Sequence, residues 1–289
     1  MKIRFIINPI AGTGKQKGIE KIIKKNIDFS YDILYTKKSG DATLLTKKAI
    51  DEKIDIVIVV GGDGTVNECA KALVNSDTAL GVIPCGSGNG FGYHIGMKRK
   101  ITDAIIQLNE CTVSTIDSCT ANGNIFVNVS GIVFDAHIAN LFSILKSRGF
   151  LNYIKLIVKE VLTYKSRKYS LQFNDKTIQT EAYFIAFANA SQYGNNFRIS
   201  PKAELSDGVI DFVVVKKCPK WRIPFLILQM ISGKIHFSKY VDLIKTKEMQ
   251  IESTDSLVHL DGEPHTLNNK IIIKVHPKTL KIFAPNEKK

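Results

Sequence analysis

The sequence predicts two domains: an amino-terminal α/β domain with a mostly parallel sheet, and a β-rich, antiparallel, sandwich-like second domain. Through about residue 108, short apolar runs alternate with helix-like segments, and this alternation is typical of a parallel sheet covered by helices. After residue 111 strand-like runs dominate, separated by Asn-Gly, Asn-Asp and Asn-Asn turns as in antiparallel hairpins. We therefore place the first domain at residues 1–117 and the second at 118–276, while the tail 277–289 can pack back onto the first domain.

Each element is predicted from hydrophobic periodicity and turn residues. In the first domain, strands are expected at 3–7, 31–36, 54–60 and 79–83, and helices at 18–26, at 103–108 and in the stretches ending at residues 50 and 73. The run 54–60 is continuous and β-branched, which indicates a strand buried on both faces. From residue 111 onward, strands are expected at 112–117, 125–130, 168–173, 182–188, 209–215, 248–253, 256–260 and 271–275, with helical character at 141–164 and 221–231.

The composition limits the classes of partner. A formal net charge of +13 over 289 residues favours an anionic partner: a phosphate ligand, a nucleic acid or an acidic membrane surface. Lysines on ordinary solvated helix faces would give the same charge without a partner. We expect no nucleic acid, because no basic cluster is interleaved with aromatic residues. The cysteines are scattered, and no apolar run suits a signal peptide or a membrane span, so we expect a cytoplasmic protein without a structural metal cluster.

Two glycine-rich turns follow neighbouring apolar runs and predict a phosphate site. Gly61-Gly62-Asp63-Gly64 follows the run 54–60, and the turn 84–90 follows the run 79–83. In open α/β sheets, ligands bind at the carboxyl ends of the strands, where glycines let backbone amides approach a phosphate. Asp63 would project into the same crevice, suited to a metal ion or to taking a hydroxyl proton. A plain βα turn in which Asp or Thr caps the helix is the simpler interpretation of either turn alone.

The loop 8–15 after the first strand is a third candidate for nucleotide contact. It fails the Walker pattern, which needs Gly at position 9 and Ser or Thr at position 16, where this chain has Pro9 and Gln16. It also fails the dinucleotide pattern, because Lys17 occupies the position of the last glycine. The remaining interpretation is a nucleotide-contacting loop of another kind.

Together the motifs resemble the diacylglycerol kinase catalytic-domain superfamily, which includes bacterial soluble lipid kinases and the sphingosine and ceramide kinases. The resemblance runs nearly end to end. Its motifs are Asn8-Pro9 with Gly12, Thr36 ahead of Gly40-Asp41-Ala42, the block 61–68, Pro84-x-Gly86-Ser87-Gly88-Asn89, Asn128-x-x-Gly131-x-x-Phe134-Asp135-Ala136, Ile199-Ser200-Pro201-x-Ala203 with Ser206-Asp207-Gly208, and Asp261-Gly262-Glu263.

The resemblance implies a first domain like that of phosphofructokinase and NAD kinase. It implies ATP-dependent phosphorylation of a lipid hydroxyl, such as that of diacylglycerol or a sphingoid long-chain base. The lipid would lie in a cleft of the β-rich domain. It implies that ATP contacts Asn8, Pro9, Gly12, Thr13, Thr36, Gly62, Asp63, Gly64, Thr65, Asn67, Glu68, Gly86, Ser87 and Asn89. It also implies Mg²⁺ at Glu204, Asp207 and Val209. Asp63, Asp261 and Glu263 are the candidate catalytic carboxylates. Eukaryotic relatives indicate Asp63 as the base and bacterial ones Glu263, so both stay open. Without the family, Asp261-Gly262-Glu263 would be predicted as a plain hairpin turn.

One departure from the family pattern keeps rival functions open. Many bacterial members have Asp where this chain has Gly90, so a carboxylate expected near the acceptor is missing, as in the sphingosine and ceramide kinases. Two rivals are a small-molecule kinase related to NAD kinase, and a catalytically silent nucleotide-binding or lipid-binding regulator. The glycine-serine-glycine-asparagine turn and the large apolar insertions argue against the first of these.

The second apolar stretch predicts contact with a membrane. The run 221–231 begins with Trp221 and is flanked by four lysines: Lys216, Lys217, Lys220 and Lys234. An apolar patch rimmed by cations is suited to peripheral contact with an anionic membrane surface. A plain core helix is the alternative. A homodimer is also left open.

Overall fold

The computed structural model describes residues 1–12, 18–133, 165–254 and 257–286. It divides into two compact units, Met1–Asp117 with Lys278–Lys289, and Ser118–Pro277. The predicted helical stretch 141–164, the family residues Phe134-Asp135-Ala136 and the candidate nucleotide contact Thr13 lie outside the described residues.

The first unit is built on a parallel sheet with the strand order β2-β1-β3-β4. Its strands are β1 (Lys2–Ile7), β2 (Ser30–Tyr35), β3 (Ile56–Gly61) and β4 (Ala79–Pro84). Its helices are α1 (Ile19–Asn26), α2 (Asp41–Asp51), α3 (Asp63–Leu73), α4 (Gly90–His94) and α5 (Ile101–Gln107), followed by a 3₁₀ turn at Leu108–Glu110. Every residue of β3 and β4 is buried, which agrees with their continuous apolar sequences.

The last strand of the chain completes this sheet. The residues near the end of β15 (Lys270–Pro285) pair in parallel with β4, with Ile282 opposite Leu80 and Phe283 opposite Gly81. The Asn75 amide donates to the Thr279 carbonyl at 2.7 Å in the same region. The segment 278–289 therefore belongs to the first unit.

The second unit is a sandwich of two antiparallel arms. Its other strands are β5 (Cys111–Ala121), β6 (Asn124–Phe126), β7 (Val129–Val133), β8 (Arg167–Phe173), β9 (Lys176–Ala188), β10 (Ile210–Lys216), β11 (Val241–Thr246), β12 (Glu248–Glu252), β13 (Leu257–Leu260) and β14 (Glu263–Thr266). One arm has the order β14-β13-β7-β9-β10-β11 and the other the order β9-β8-β12-β15-β5-β6. The long strand β9 takes part in both, because its two halves pair with different neighbours.

Both arms contribute to one buried core. Tyr169 and Met249 come from one arm, and Phe187 and Phe212 from the other, and all four belong to the same cluster of buried side chains. The Phe187 ring lies 6.3 Å from the ring of Phe212. This core and the parallel sheet of the first unit confirm the predicted fold class.

The structure corrects three details of the predicted strands. The run 125–130 is two strands rather than one, because the backbone amides of Val127 and Asn128 donate to a carboxylate instead of to a neighbouring strand. Strands β11 and β14 were not predicted at all. Strand β11 mixes charged and apolar residues in a short span without regular alternation, and β14 contains Pro264, which suits only an edge position.

The apolar stretch at 221–231 is helical in the structure. A 3₁₀ turn at Lys220–Arg222 leads into α6 (Ile223–Ile231), and a second 3₁₀ turn follows at Ile235–Phe237. Ile223, Leu226 and Met230 pack into a buried cluster on one arm of the sandwich. No helix in the described ranges is both long enough and apolar enough to cross a membrane.

Candidate active site

Three glycine-containing turns come together at the carboxyl ends of β1, β3 and β4. A Cβ atom placed on Gly86 would lie 2.4 Å from the Cα of Gly62, and one placed on Gly12 would lie 2.2 Å from the carbonyl oxygen of Cys85. No side chain fits at either contact. The sequence therefore needs glycine at these positions because the three turns pack backbone against backbone, and their peptide groups, rather than side chains, form the surface.

Helix α3 starts inside this cluster. Gly62 is its N-cap residue and has an extended backbone, and no side chain caps the helix. Amide groups in the first turn of a helix have no partner within the helix, and the helix dipole adds positive potential there. The arrangement is that of an anion-binding helix terminus approached by two further glycine turns.

Asn89 holds the second glycine turn in shape. Its side-chain oxygen accepts a hydrogen bond from the Gly86 amide at 2.6 Å, and its side-chain nitrogen donates to the Gly86 carbonyl at 2.8 Å. The same nitrogen donates to the Tyr93 hydroxyl at 3.0 Å. Asn89 itself has a left-handed backbone, with φ of 58°, which Asn tolerates better than most residues. Its role in the structure is to fix the turn.

Asp63 links the first glycine turn to helix α4. Its Oδ2 atom accepts a hydrogen bond from the Asn89 amide at 2.6 Å, and the amides of Gly90 and Phe91 also face this carboxylate. Its Oδ1 atom is buried and has no hydrogen-bond partner in the described part of the chain. Burial raises the pKa of Asp63, and the amides of Asn89, Phe91 and Gly90 offset part of that shift. One oxygen is thus anchored, and the other is buried without a hydrogen bond from the described residues.

The loop after β1 is tied to helix α3 by side chains. Asn8 donates from its side-chain nitrogen to the Thr65 hydroxyl at 2.9 Å, and its side-chain oxygen accepts from the Ile10 amide at 3.1 Å. Pro9 and Gly12 of this loop are exposed, whereas Thr65 is buried. The candidate contacts from β1 and α3 therefore lie together in the first unit.

The other candidate nucleotide contacts divide into an exposed rim and a buried layer. Gly64 and Ser87 are exposed, and Thr36 and Asn67 are buried. Glu68 faces helix α2 rather than the glycine turns, because its carboxylate accepts from the amides of Gly40 and Ala42 at 3.0 and 3.2 Å. An acidic group at that position stabilises the helix terminus, which gives Glu68 a structural role.

In the second unit, Asp261 organises a hairpin. Its two carboxylate oxygens accept from the amides of Val127 and Asn128 at 2.9 and 2.8 Å, and its own amide donates to the Ser130 hydroxyl at 3.1 Å. Asp261 and Gly262 both have positive φ angles, 51° and 90°, as in the two-residue turns that join antiparallel strands. The segment is therefore the hairpin turn between β13 and β14, with Asp261 binding the β6–β7 connection.

Glu263 is the other candidate carboxylate of this turn. It is the first residue of β14, opposite Leu260 in the ladder, and its side chain is half-buried. The neighbouring ring of His259 is buried and accepts from the Gly262 amide at 3.2 Å. Unlike Asp261, Glu263 takes no part in the contact with the amides of 127 and 128.

The predicted magnesium loop is already neutralised by a lysine. The Lys245 ammonium lies 3.1 Å from Asp207 Oδ2 and 3.2 Å from Asp211 Oδ1, and the Val209 amide donates to Asp207 Oδ1 at 3.2 Å. Burial lowers the pKa of Lys245, but the charges of Asp211 and Asp207 outweigh this and raise it above its usual value. Glu204 is exposed. No three His, Cys, Asp or Glu side chains of the described chain are grouped to share a metal ion.

Sequence reasoning missed Lys245 as a member of this group. Lys245 lies 38 residues after Asp207, on strand β11, which was itself not predicted. Nothing in the local sequence distinguishes Lys245 from the many exposed lysines of the chain. Only the antiparallel pairing of β10 with β11, which places Asp211 opposite Lys245, brings the charges together.

Two family models match the chain. The model of the diacylglycerol kinase catalytic domain matches residues 2–121, and that of the YegS C-terminal NAD kinase beta sandwich-like domain matches residues 129–284. The chain belongs to the diacylglycerol kinase catalytic-domain superfamily. The two matches fall on the α/β unit and on the sandwich unit, and together they cover nearly all of the chain.

Relatives of this lipid kinase superfamily match over most of their length. The chain is 25% identical over 278 residues to the diacylglycerol kinase of Bacillus subtilis, covering 91% of this chain and 89% of that protein. It is 27% identical over 236 residues to a probable YegS-like lipid kinase of Chromohalobacter salexigens, covering 79% and 76%.

Two crystal structures from Bacillus anthracis strain Sterne share the fold. The first is 25% identical, with a TM-score of 0.79, and the match covers 99% of this chain and 97% of that one. The second, of a diacylglycerol kinase, is 23% identical with a TM-score of 0.75 over the same shares, and it bears on the fold alone.

Proposed function

We propose that this superfamily member transfers the γ-phosphate of ATP to the hydroxyl of a lipid, such as diacylglycerol or a sphingoid long-chain base. One observation carries the proposal: three glycine turns form a backbone surface at the end of a parallel sheet, and the buried Oδ1 atom of Asp63 lies there without a partner. A phosphate-binding surface beside an available carboxylate is what phosphoryl transfer to a hydroxyl requires. The kinase names of the Bacillus subtilis and Chromohalobacter salexigens relatives support the reaction class.

The backbone of the first unit would hold the phosphates. The amides at the start of α3 and in the 85–89 turn are fixed by the contacts of Asp63 and Asn89. Preorganised donors stabilise the charge on a transferring phosphoryl group without rearranging during the reaction. The rigid turn therefore contributes positioning and charge stabilisation.

Asp63 would take the proton from the acceptor hydroxyl. A raised pKa makes a carboxylate a stronger base. Because Oδ2 is held by a hydrogen bond, Oδ1 is the oxygen that would accept the proton, and its orientation is fixed. Asp261 is less suited, because both of its oxygens accept backbone hydrogen bonds. Glu263 remains the rival base.

Magnesium would enter with ATP, and when bound it neutralises the charge on the phosphate oxygens. The loop at Asp207 does not suit this ion, because the Lys245 ammonium already supplies the positive charge there. No step of the reaction is assigned to that loop.

The test is transfer of labelled γ-phosphate from Mg-ATP to a panel of acceptors in detergent micelles: diacylglycerol, monoacylglycerol, sphingosine, ceramide, undecaprenol and NAD. A labelled lipid, with label lost in Asp63→Asn but not in Glu263→Gln, is the expected result. Loss of label only in Glu263→Gln would move the base to Glu263. Label on NAD alone would replace the proposal by a small-molecule kinase. ATP binding without transfer to any acceptor would favour a silent regulator, to which the missing carboxylate at Gly90 already points.

A further inference from the structure

An exposed apolar surface lies on helix α6 and the 3₁₀ turn that follows it. Trp221, Phe225, Leu228 and Phe237 are 61%, 55%, 60% and 73% exposed, and Ile231 is also exposed. We call these five residues the α6 surface. Large aromatic and aliphatic side chains at these exposures present on the order of 500 Å² of apolar area, near the upper limit for a monomer that binds nothing.

Folding does not require these side chains to be apolar. Helix α6 is anchored by its other face, where Ile223, Leu226, Ile227 and Met230 pack against the sandwich. The α6 surface repeats at positions 221, 225 and 228, the spacing of one helix face. A helix that is apolar on both its buried and its exposed face is suited to contact a second apolar environment with the exposed face.

The charged residues of the chain segment that carries the α6 surface are all positive. Residues 218–241 include Lys220, Arg222, Lys234 and Lys239 and contain no Asp or Glu. The Arg222 guanidinium lies 4.1 Å from the centre of the Trp221 ring and 6.0 Å from that of Phe225. A cation beside exposed aromatic rings suits a boundary where apolar groups enter acyl chains and cations stay among anionic headgroups.

The lysines before the helix contribute less than the sequence predicts. Lys216 pairs with Asp242 at 2.7 Å, and Lys217 pairs with Glu181 at 3.1 Å. Their charges are largely neutralised, so the positive charge that has no ion pair among the described residues lies on Arg222, Lys234 and Lys239. This shifts the predicted electrostatic contact from the start of the helix to the helix itself and the turn beyond it.

We infer that the α6 surface docks on an anionic lipid bilayer. A second copy of the chain is a poor occupant, because a twofold contact would bring the same cations face to face. An anionic bilayer satisfies both the apolar and the positive character at once. The inference extends the proposed function, since it gives a lipid kinase its access to a membrane substrate, but the contact is defined without ATP or acceptor.

The chain provides its own reporter for the test. Trp221 is the only tryptophan, and it lies in the α6 surface. Insertion among acyl chains should shift its fluorescence to shorter wavelength and make it quenchable by brominated lipid. We expect this shift, together with cosedimentation, on phosphatidylglycerol vesicles and not on phosphatidylcholine vesicles, and we expect salt to weaken both.

Two sets of variants separate the contributions. Phe225→Ser with Leu228→Ser should weaken vesicle binding at least tenfold, and Arg222→Gln with Lys234→Gln should remove the preference for anionic lipid. The matched control is Leu44→Ser, a similarly exposed leucine on α2 in the first unit, which should bind as wild type.

Three outcomes would overturn the inference: no fluorescence shift on anionic vesicles, equal loss of binding in the Leu44→Ser control, or a dimer in solution that hides Trp221. If the protein phosphorylates detergent-dispersed lipid but does not bind vesicles, the docking surface is rejected and the proposed kinase function stands. If it binds vesicles but transfers no phosphate, the docking surface stands and the proposed kinase function is rejected.

Discussion

Replacing Asp261 by Asn separates a structural carboxylate from a catalytic one. The two oxygens of Asp261 accept from buried backbone amides at 2.9 and 2.8 Å, and Asn can accept only one of these hydrogen bonds. The other amide loses its partner, and the remaining bond loses its charge, at about 2–4 kcal/mol in total. Asn tolerates the φ of 51° at this position, so the backbone adds little to the cost.

Calorimetry measures this cost directly. For units of this size, about 2–4 kcal/mol lowers the melting temperature by roughly 4–16 °C, and we expect the transition of the sandwich unit to move. Phosphate transfer, assayed well below that transition, should stay within a few-fold of wild type. The matched control is Asp175→Asn, at an exposed turn between β8 and β9 with a similar positive φ of 59°, which should melt as wild type. An Asp261→Asn protein with unchanged melting but abolished transfer would refute the structural role.

Three further substitutions test the other contacts. Asp63→Asn should abolish transfer and leave the protein at least as stable as wild type. Burial raises the pKa of Asp63 from its ordinary 3.8, so ionising this carboxyl group destabilises the folded protein. This cost is absent below pH 3.8 and grows as the pH rises through the raised pKa. A pH titration of unfolding in which both proteins run parallel would contradict this. Gly86→Ala should destabilise the first unit and abolish ATP binding, because its Cβ would meet the Gly62 backbone. The control Gly64→Ala has open space around it and should fold as wild type. Equal melting temperatures of the two variants would argue against the close contact between the turns. Lys245→Met should cost about 1–3 kcal/mol, because the buried Asp211 carboxylate then keeps, among the described residues, only the hydrogen bond from the Ser200 hydroxyl. Mg²⁺ should restore part of this stability in the variant only. Wild-type protein that melts higher in Mg²⁺ than in chelator would show that the lysine does not replace the metal.

The parts of the fold that could be predicted from sequence are those encoded locally. The run 54–60 is apolar enough to be buried on both faces, and the Asn122-Gly123 and Asn174-Asp175 turns have the positive φ angles that their residue types favour. Strands β11 and β14 lack such signals, because their residues suit an edge position rather than a core.

In the candidate site too, the features encoded by local sequence could be predicted. Glycine and asparagine predict the turns at 61–64 and 84–90, because few other residues can adopt those backbone conformations or pack so closely. The role of a carboxylate depends on what faces it. The sequence could not show that both oxygens of Asp261 bind amides more than 130 residues away, or that Lys245 pairs with Asp207.

The parallel pairing of the end of β15 with β4 has a consequence for biosynthesis. The first unit contains residues from both sides of the sandwich in the chain, so a ribosome has made the whole sandwich before the last strand of the first sheet exists. Until then the edge of β4 at Leu80 and Gly81 lacks its neighbour, and an unpaired strand edge is a site for mispairing with other chains. The sheet of the nascent first unit is therefore complete only after residues 282 and 283 have been made, and this edge is where a chaperone would be of most use.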